Sequence, residues 1–438
     1  MAQGYARLVA RRVVILGAGF AGSYVGRYLG RGREAVEVTL IDPRNYMLYT
    51  PLLPEAASGT VEPRHSVVPV RVMCPRARLI LGRAERVDWD ARTVAIELAD
   101  GTPRTIPFDH LVVAVGSVTR TAPVPGLMEH AIGFKTIAEA IHLRNHVLHQ
   151  LELADVAENE ADRRRRLTFV FVGGGYAGVE ALAELEDLCR DASRWYPGLK
   201  GVPRRWVLVD LAPRILPDLH GELGAYATGQ LRRRGVELRL STSLRSADDR
   251  GVTLSNGERF ETATLVWTAG VRPNPLVGRL GLPTDEHGRV TVDGALRVDG
   301  MPRVWALGDS AAVPNAATPG RTDPPTCQHA LRQSRVLARN IKAQIAGAPL
   351  RRYRYRMLGQ VATLGQHKGV AEVLGLELKG WPGWWFTRTY HLYQLPLPSR
   401  KIRVVADWTV DLFFRRDVAE LGSFDEAGPL SRQMSDRP

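Results

Sequence analysis

Cysteine, lysine and long apolar runs are all scarce in this chain of 438 residues. Its three cysteines, Cys74, Cys189 and Cys327, stand far apart, with no C-x-x-C pair and no metal-ligand spacing. They are too few for a disulfide framework, which points to a reducing compartment. Only six of the 59 basic residues are lysine. Arginine therefore carries nearly all of the positive charge behind the net +13 and the pI near 10.0. Such a balance favours anionic partners: nucleotides, nucleic acid or an anionic membrane face. No stretch reaches the roughly 18 apolar residues of a membrane span. The apolar run after Arg7, Arg11 and Arg12 is short and passes into glycines, where a signal peptide would place a cleavage site. Neither export nor a transmembrane helix is expected. With 45% hydrophobic and 24% charged residues the chain reads as globular, and at about 150 residues per domain its length suggests about three domains.

What is abundant is glycine at chosen places. Val13-Val14-Ile15-Leu16 reads as a buried parallel strand and runs into Gly17-Ala18-Gly19-Phe20-Ala21-Gly22. A helical pattern follows to about residue 32, then a strand over 36–41 that closes on Asp42. The same syntax recurs: strand 168–172, then Gly173-Gly174-Gly175-Tyr176-Ala177-Gly178, a helix over 179–189, and a strand over 206–209 closing on Asp210. One G-x-G-x-x-G is weak evidence; two in full strand–turn–helix context are strong. The first glycine makes the tight turn, the second admits a pyrophosphate, the third lets helix and strand pack, and the acid accepts from ribose hydroxyls. Two dinucleotides are expected. Asp210 favours NADH over NADPH, because a carboxylate repels a 2′-phosphate, although Arg214 follows four residues on.

Between the motifs, 79–106 reads as short strands with turns, 111–117 as a buried strand ending at Gly116, and 121–126 as a linker. Leu265 to Gly270 repeats the strand-to-glycine ending, and a strand from Val304 closes on Gly308-Asp309. A helix is expected from Cys327 to about Ile345, after Pro324-Pro325-Thr326. The four consecutive arginines 163–166 read as a solvated charged loop; without interleaved aromatics they make no nucleic-acid patch. The class is α/β.

These residues resemble the two-dinucleotide-binding flavoproteins, which include the disulfide reductases and the type II NADH dehydrogenases. The resemblance covers about 11–346 and implies two Rossmann-like domains, FAD on the first glycine loop and NAD(H) on the second. It implies a discontinuous FAD-binding domain, 1–125 with 300–348, an NAD(H)-binding domain at 126–299 and a C-terminal region at 349–421, with a disordered tail at 422–438. The FAD set is then Gly17, Gly19, Gly22, Asp42, Arg44, Pro51, Leu52, Ala84, Gly116, Gly308 and Asp309, with the amides of Ser310 and Ala311 facing the pyrophosphate. The NAD(H) set is Gly173, Gly175, Gly178, Asp210 and Gly270. Within the group, Asp42-Pro43-Arg44-Asn45-Tyr46 with Pro51-Leu52-Leu53, and Gly175-Tyr176-Ala177-Gly178-Val179-Glu180 with Glu184, are most similar to type II NADH:quinone oxidoreductases. So is Pro324-Pro325-Thr326-Cys327-Gln328-His329-Ala330-Leu331-Arg332-Gln333, like their quinone-site helix, with Cys327 where the pattern has Ala. The disulfide reductases need an early redox cysteine pair, and no cysteine precedes Cys74. A sulfide:quinone oxidoreductase would have to use Cys189 with Cys327, and Cys189 falls away from the expected flavin.

The resemblance makes Glu180 and Gln328 the catalytic candidates, and Gln328, Gln333 and Lys379 the quinone-binding ones, with His329 a weaker candidate. A partly buried Glu180 could hand protons toward a reduced quinone. Its plainer role would be to complement the helix dipole. FAD and NADH are the expected cofactors, with no metal and no proton pumping. Residues 381–414 hold nine aromatics in 34 residues, against 7% over the whole chain, interleaved with Lys379, Arg388, Arg400, Lys401, Arg403, Arg415 and Arg416. Val404, Val405, Trp408 and Leu412 recur at helical spacing as one apolar face. This pattern suits a peripheral helix on the cytoplasmic face of a membrane; a buried or dimer-interface helix would share it. The resemblance also admits a homodimer. Nucleic acid is not an expected partner. Two other classes stay open: a soluble NAD(P)H-dependent reductase feeding a ferredoxin or rubredoxin, and a non-catalytic nucleotide sensor.

Overall fold

The computed structural model describes residues 10–31, 36–219 and 221–420. The expected tail at 422–438 lies outside them. In chain order the positioning elements begin with β1 (Arg11–Leu16), α1 (Phe20–Leu29), β2 (Val36–Asp42), α2 (Leu53–Ala57), β3 (Ala77–Asp88), β4 (Thr93–Leu98), β5 (Pro103–Pro107), β6 (His110–Val113) and β7 (Ala131–Gly133). Then come α3 (Ile137–Asp155), α4 (Glu160–Arg166), β8 (Thr168–Val172), α5 (Tyr176–Ala192), β9 (Arg205–Val209), β10 (Val236–Arg239), β11 (Thr264–Trp267) and β12 (Val304–Ala306). The last are α6 (Cys327–Ile345), β13 (Gly359–Thr363), β14 (Gly369–Val373), β15 (Leu376–Gly380), α7 (Trp381–Gln394) and α8 (Pro398–Phe413).

They divide into two compact units. The first takes the chain up to Tyr49, Val67–Val118 and Val271–Leu358; the second takes Thr50–Ser66, Thr119–Gly270 and the chain from Gly359. In the first, seven strands run in the order β12-β6-β1-β2-β3-β4-β5. The strands from β12 to β3 pair in parallel, and β4 and β5 extend the sheet antiparallel. Val13 through Leu16 are fully buried, as a central parallel strand covered on both faces requires. In the second unit β7-β11-β8-β9-β10 form a five-stranded parallel sheet. A separate antiparallel meander, β13-β14-β15, leads into α7 and α8.

Two expectations are corrected. Arginines 163–166 are the end of a helix, α4, and not a loop. Asn159 caps it by accepting from the Asp162 N–H at 2.7 Å, and Glu160 and Asp162 pair with arginines three and four residues on. Arg163 and Arg166 also reach Ala154 O and Gln150 on α3, so they fasten two helices. The apolar face expected on α8 divides: Val404 is buried and Trp408 half-buried, whereas Val405 and Leu412 are exposed. The cause is rotation along the helix, because only the edge carrying Val404 and Trp408 meets protein.

Candidate functional site

Each unit carries the same cradle at the carboxyl end of its central strand. In the first, Gly17 lies at φ +96° and Gly22 sits so close under the loop that an added Cβ would fall 1.8 Å from the Gly17 carbonyl oxygen. Only glycine serves at either place. At Gly19 an added Cβ would meet nothing within 4 Å, so the loop opens outward there. Helix α1 has no side-chain cap and no acid in its first turn, which leaves its leading N–H groups to a bound anion. The Asp42 carboxylate, at the end of β2, accepts from the Ala18 and Arg44 N–H groups at 2.8 Å each.

The second unit repeats this atom for atom. Gly173 has φ +122°, a Cβ at Gly178 would lie 1.9 Å from the Gly173 carbonyl oxygen, and Gly175 faces open space. Helix α5 again lacks a cap and a first-turn acid. Asp210 accepts from the Gly174 N–H and, at 2.6 Å, from the Ala212 N–H. Two open glycine cradles under uncapped helices are what two dinucleotide diphosphates need, so the residues fit both groups. Each acid first fixes its own loop, a role additional to the ribose contact expected for it.

The other expected FAD residues of the first unit cluster at the same sheet edge. Gly116 and Gly308 take positive φ, +68° and +69°. The Asp309 carboxylate accepts from the Ser117 hydroxyl at 2.6 Å. Arg44 lies beside Asp42 and over the Tyr46 ring, and Ala84 is buried in β3. Pro51 and Leu52 belong to the second unit, as does Gly270, at φ +92°.

In the second unit Glu180 stands just past the first turn of α5, and its Oε1 accepts from the Thr363 N–H at 2.8 Å and the Thr363 hydroxyl at 3.3 Å. Burial pushes its carboxyl up to about 8, over the opposing effect of those two bonds; the negative fields of Glu184 and Glu55 add to the rise. One turn on, Glu184 is fully buried; its Oε2 accepts from Arg416 at 2.9 Å and Ser58 at 3.1 Å. Glu55 on α2 accepts from Arg388 at 3.0 Å and from the Trp408 indole N–H at 2.6 Å. Lys379, on β15, is paired with Glu222 at 2.9 Å and Glu377 at 3.4 Å, which raise its pKa.

In the first unit Gln328 opens α6 and accepts from the Tyr355 hydroxyl at 3.1 Å. Gln333 follows on the same helix. It is buried, its Oε1 accepts from the Gly308 N–H at 2.8 Å and its amide donates to Asp323 at 2.9 Å, so it holds the Gly308-Asp309 turn in place. Asp323 also faces His329 Nδ1 at 2.6 Å. Thr363, Asp323 and Tyr355 carried no signal in the sequence, and Arg388 and Arg416 read there as part of a membrane surface: Thr363 lies 183 residues from Glu180. All three thiols are held protonated by burial, Cys74 pushed up to about 12, Cys327 to about 11 and Cys189 upward. None has the lowered pKa of a redox-active cysteine.

The pyridine nucleotide-disulphide oxidoreductase family matches residues 11–334. The chain belongs to that family. Among its curated relatives it is 33% identical over 421 residues to the type II NADH:quinone oxidoreductase NdhA of Mycobacterium tuberculosis, covering 92% of this chain and 87% of that one. It is 29% identical to the demethylphylloquinone reductase NdbB of Synechocystis, covering 91% and 95%. Among solved structures, NDH2 from Plasmodium falciparum in complex with NADH superposes with a TM-score of 0.84 at 19% identity, over 93% of this chain and 99% of that one. This member of the family therefore shares its fold with NDH2 along nearly its whole length.

Proposed function

We propose that the chain is an FAD-dependent, non-proton-pumping NADH:quinone oxidoreductase. The observation that carries this reading is the duplicated nucleotide cradle, in a chain 33% identical to a type II NADH:quinone oxidoreductase across 92% of its length. FAD, when bound, supplies the two-electron relay between a hydride donor and a quinone. The protein's part is to hold and to protonate. Gly17, Gly19, Gly22 and the N-terminus of α1 bind the FAD diphosphate, with Asp42 and Asp309 at the sugar hydroxyls. Gly173, Gly175, Gly178, Asp210 and the N-terminus of α5 bind NADH. Glu180, protonated at neutral pH, offers its proton for quinol formation, and Gln328 offers an amide N–H to a quinone carbonyl.

The deciding experiment is anaerobic and spectral. One equivalent of NADH bleaches the yellow protein, and a short-chain quinone then restores the oxidised spectrum. Bleaching without restoration would instead favour a reductase for a carrier protein such as ferredoxin or rubredoxin. In steady state, Asp210→Ala raises KM for NADH and narrows the preference over NADPH; unchanged nucleotide kinetics would remove Asp210 from the NADH site.

The peripheral membrane surface belongs to the same reading. Ile402, Leu412 and Phe413 on α8 are exposed beside Arg400, Lys401 and Arg403. An apolar stripe with basic flanks suits an anionic cytoplasmic leaflet, as does the net charge of +13. A homodimer completes the reading and is checked by sedimentation.

A further inference from the structure

The arginines of α4 border a cavity that neither glycine cradle uses. It lies within the second unit, between the end of α4, the later half of α3 and the antiparallel hairpin of strands Leu244–Ala247 and Gly251–Leu254. Gln150, Arg165, Arg166, Asp248, Asp249 and Thr262 line it, with the exposed His130. Its volume is about 230 Å³. At about 30 Å³ per water, that is room for about seven waters or one small organic acid, and too little for a dinucleotide. Strand β8 starts beside the cavity and reaches the glycine cradle after five residues, so the two places lie roughly 15 Å apart, at opposite ends of the sheet.

Charge there is arranged for an anion. Helix α4 carries four arginines against two acids, Glu160 and Asp162. The carbonyls at its end are already occupied: Arg163 O accepts from the Leu167 N–H at 3.0 Å, Arg164 O from the Thr168 hydroxyl at 2.7 Å and Arg165 O from the Ala263 N–H at 3.0 Å. The negative pole of the helix is thereby quenched, whereas the guanidinium charge beside it is not. Arg165 and Arg166 share the single carboxylate of Asp162, at 3.5 and 2.7 Å. Asp248 is engaged by Arg259 at 2.9 Å and by the N–H groups of Arg250 and Gly251 at 3.0 and 2.9 Å. Asp249 is exposed, and its peptide carbonyl accepts from Arg165 at 3.3 Å. Gln150 decides the matter. It is only 6% exposed, its Oε1 accepts from Arg166 at 3.4 Å, and its Nε2 has no acceptor among the described residues. A buried amide donor on a cavity wall, next to a guanidinium, calls for an oxygen to accept from both.

We propose that this cavity binds a small organic anion, a carboxylate or a phosphate ester, whose oxygens accept from Arg166 and from the Gln150 amide. Both ligand types present the oxyanion that a guanidinium fork recognises. The proposal does not depend on the redox reading, because every residue it uses lies at the end of the sheet away from Gly173.

The test is calorimetric titration of the full-length flavoprotein with succinate or with glycerol 3-phosphate. Ionic strength is held constant with sodium chloride, and excess NAD+ fills the second glycine cradle. At least one of the two anions binds saturably at one site per chain, and the tighter of them tells carboxylate from phosphate ester. Arg166→Gln weakens that binding about tenfold and Gln150→Leu about fivefold, as the loss of a charged and of a neutral hydrogen bond requires. Gln150→Leu keeps the Arg166–Asp162 pair, so the fastening of α4 survives in it, and both variants keep the parent KM for NADH. Absence of saturable binding by either anion overturns the proposal, as does binding that Gln150→Leu leaves unchanged.

Discussion

Glu180 shows how much a single position can hide. Its place two residues after Gly178 is visible in the motif, yet its chemistry depends on Thr363, supplied by a strand 183 residues away. A carboxyl raised from its ordinary 4.5 to about 8 binds more protons folded than unfolded. Its contribution to stability is complete below about 4.5 and is lost as the pH rises through about 8. Glu180→Gln should therefore flatten the fall in melting temperature across that window, leaving the folded protein intact. A variant whose melting curve falls as steeply as the parent's would show that Glu180 is ionised already at neutral pH. The aspartates are the reverse case: Asp42 and Asp210 are legible as the acids that close the second strands, but their bonds to Ala18 and Gly174 emerge only when the loop folds back.

At the scale of elements, the C-terminal helices differ most from their sequence pattern. Aromatic and basic residues there read as a surface for lipid, but several point inward. Arg388 and Arg416 are buried, holding Glu55 and Glu184, while Arg144 on α3 donates to the carbonyls of Asp417 and Ala419 at 2.6 and 2.8 Å. Helix α7 is thus bolted to α2, and the chain after α8 to α3 and α5, by charge. Removing one member of a buried pair leaves the other uncompensated, at about 3–5 kcal/mol. Arg416→Met should lower the unfolding free energy read from urea titration by about that much, and adding Glu184→Gln should recover part of it. A midpoint within experimental error of the parent would mean that Arg416 is solvated. Buried arginines and snorkelling ones have the same signature in a sequence, and periodicity cannot separate them when a helix is covered along one edge only.

For the molecule as a whole, the exposed side of α8 carries the prediction. Leu412→Asp with Phe413→Asp should reduce sedimentation with vesicles containing anionic lipid. Reduction of a water-soluble quinone should persist, because both side chains are solvent-exposed and distant from any contact with the glycine cradles in sequence. Raising the salt concentration should weaken the same binding, since arginine and lysine contribute through screened attraction. Undiminished vesicle binding in the double variant would move the membrane contact to another surface. At this scale too, burial raises the pKa of all three thiols, with Cys74 and Cys189 buried and Cys327 partly exposed.

Local rules decided the two glycine cradles, the strands that feed them and the bounds of α6, because tight turns, positive φ and helix starts depend on residues within a few positions of one another. They decided the α/β class for the same reason. Tertiary structure alone decided that arginines 163–166 form a helix fastened to α3, that Gln333 holds the Gly308 turn, and which edge of α8 is covered. It alone brought Thr363 to Glu180 and Tyr355 to Gln328. Those outcomes depend on desolvation and on hydrogen bonds between segments remote in the chain, and neither quantity exists until the chain is folded.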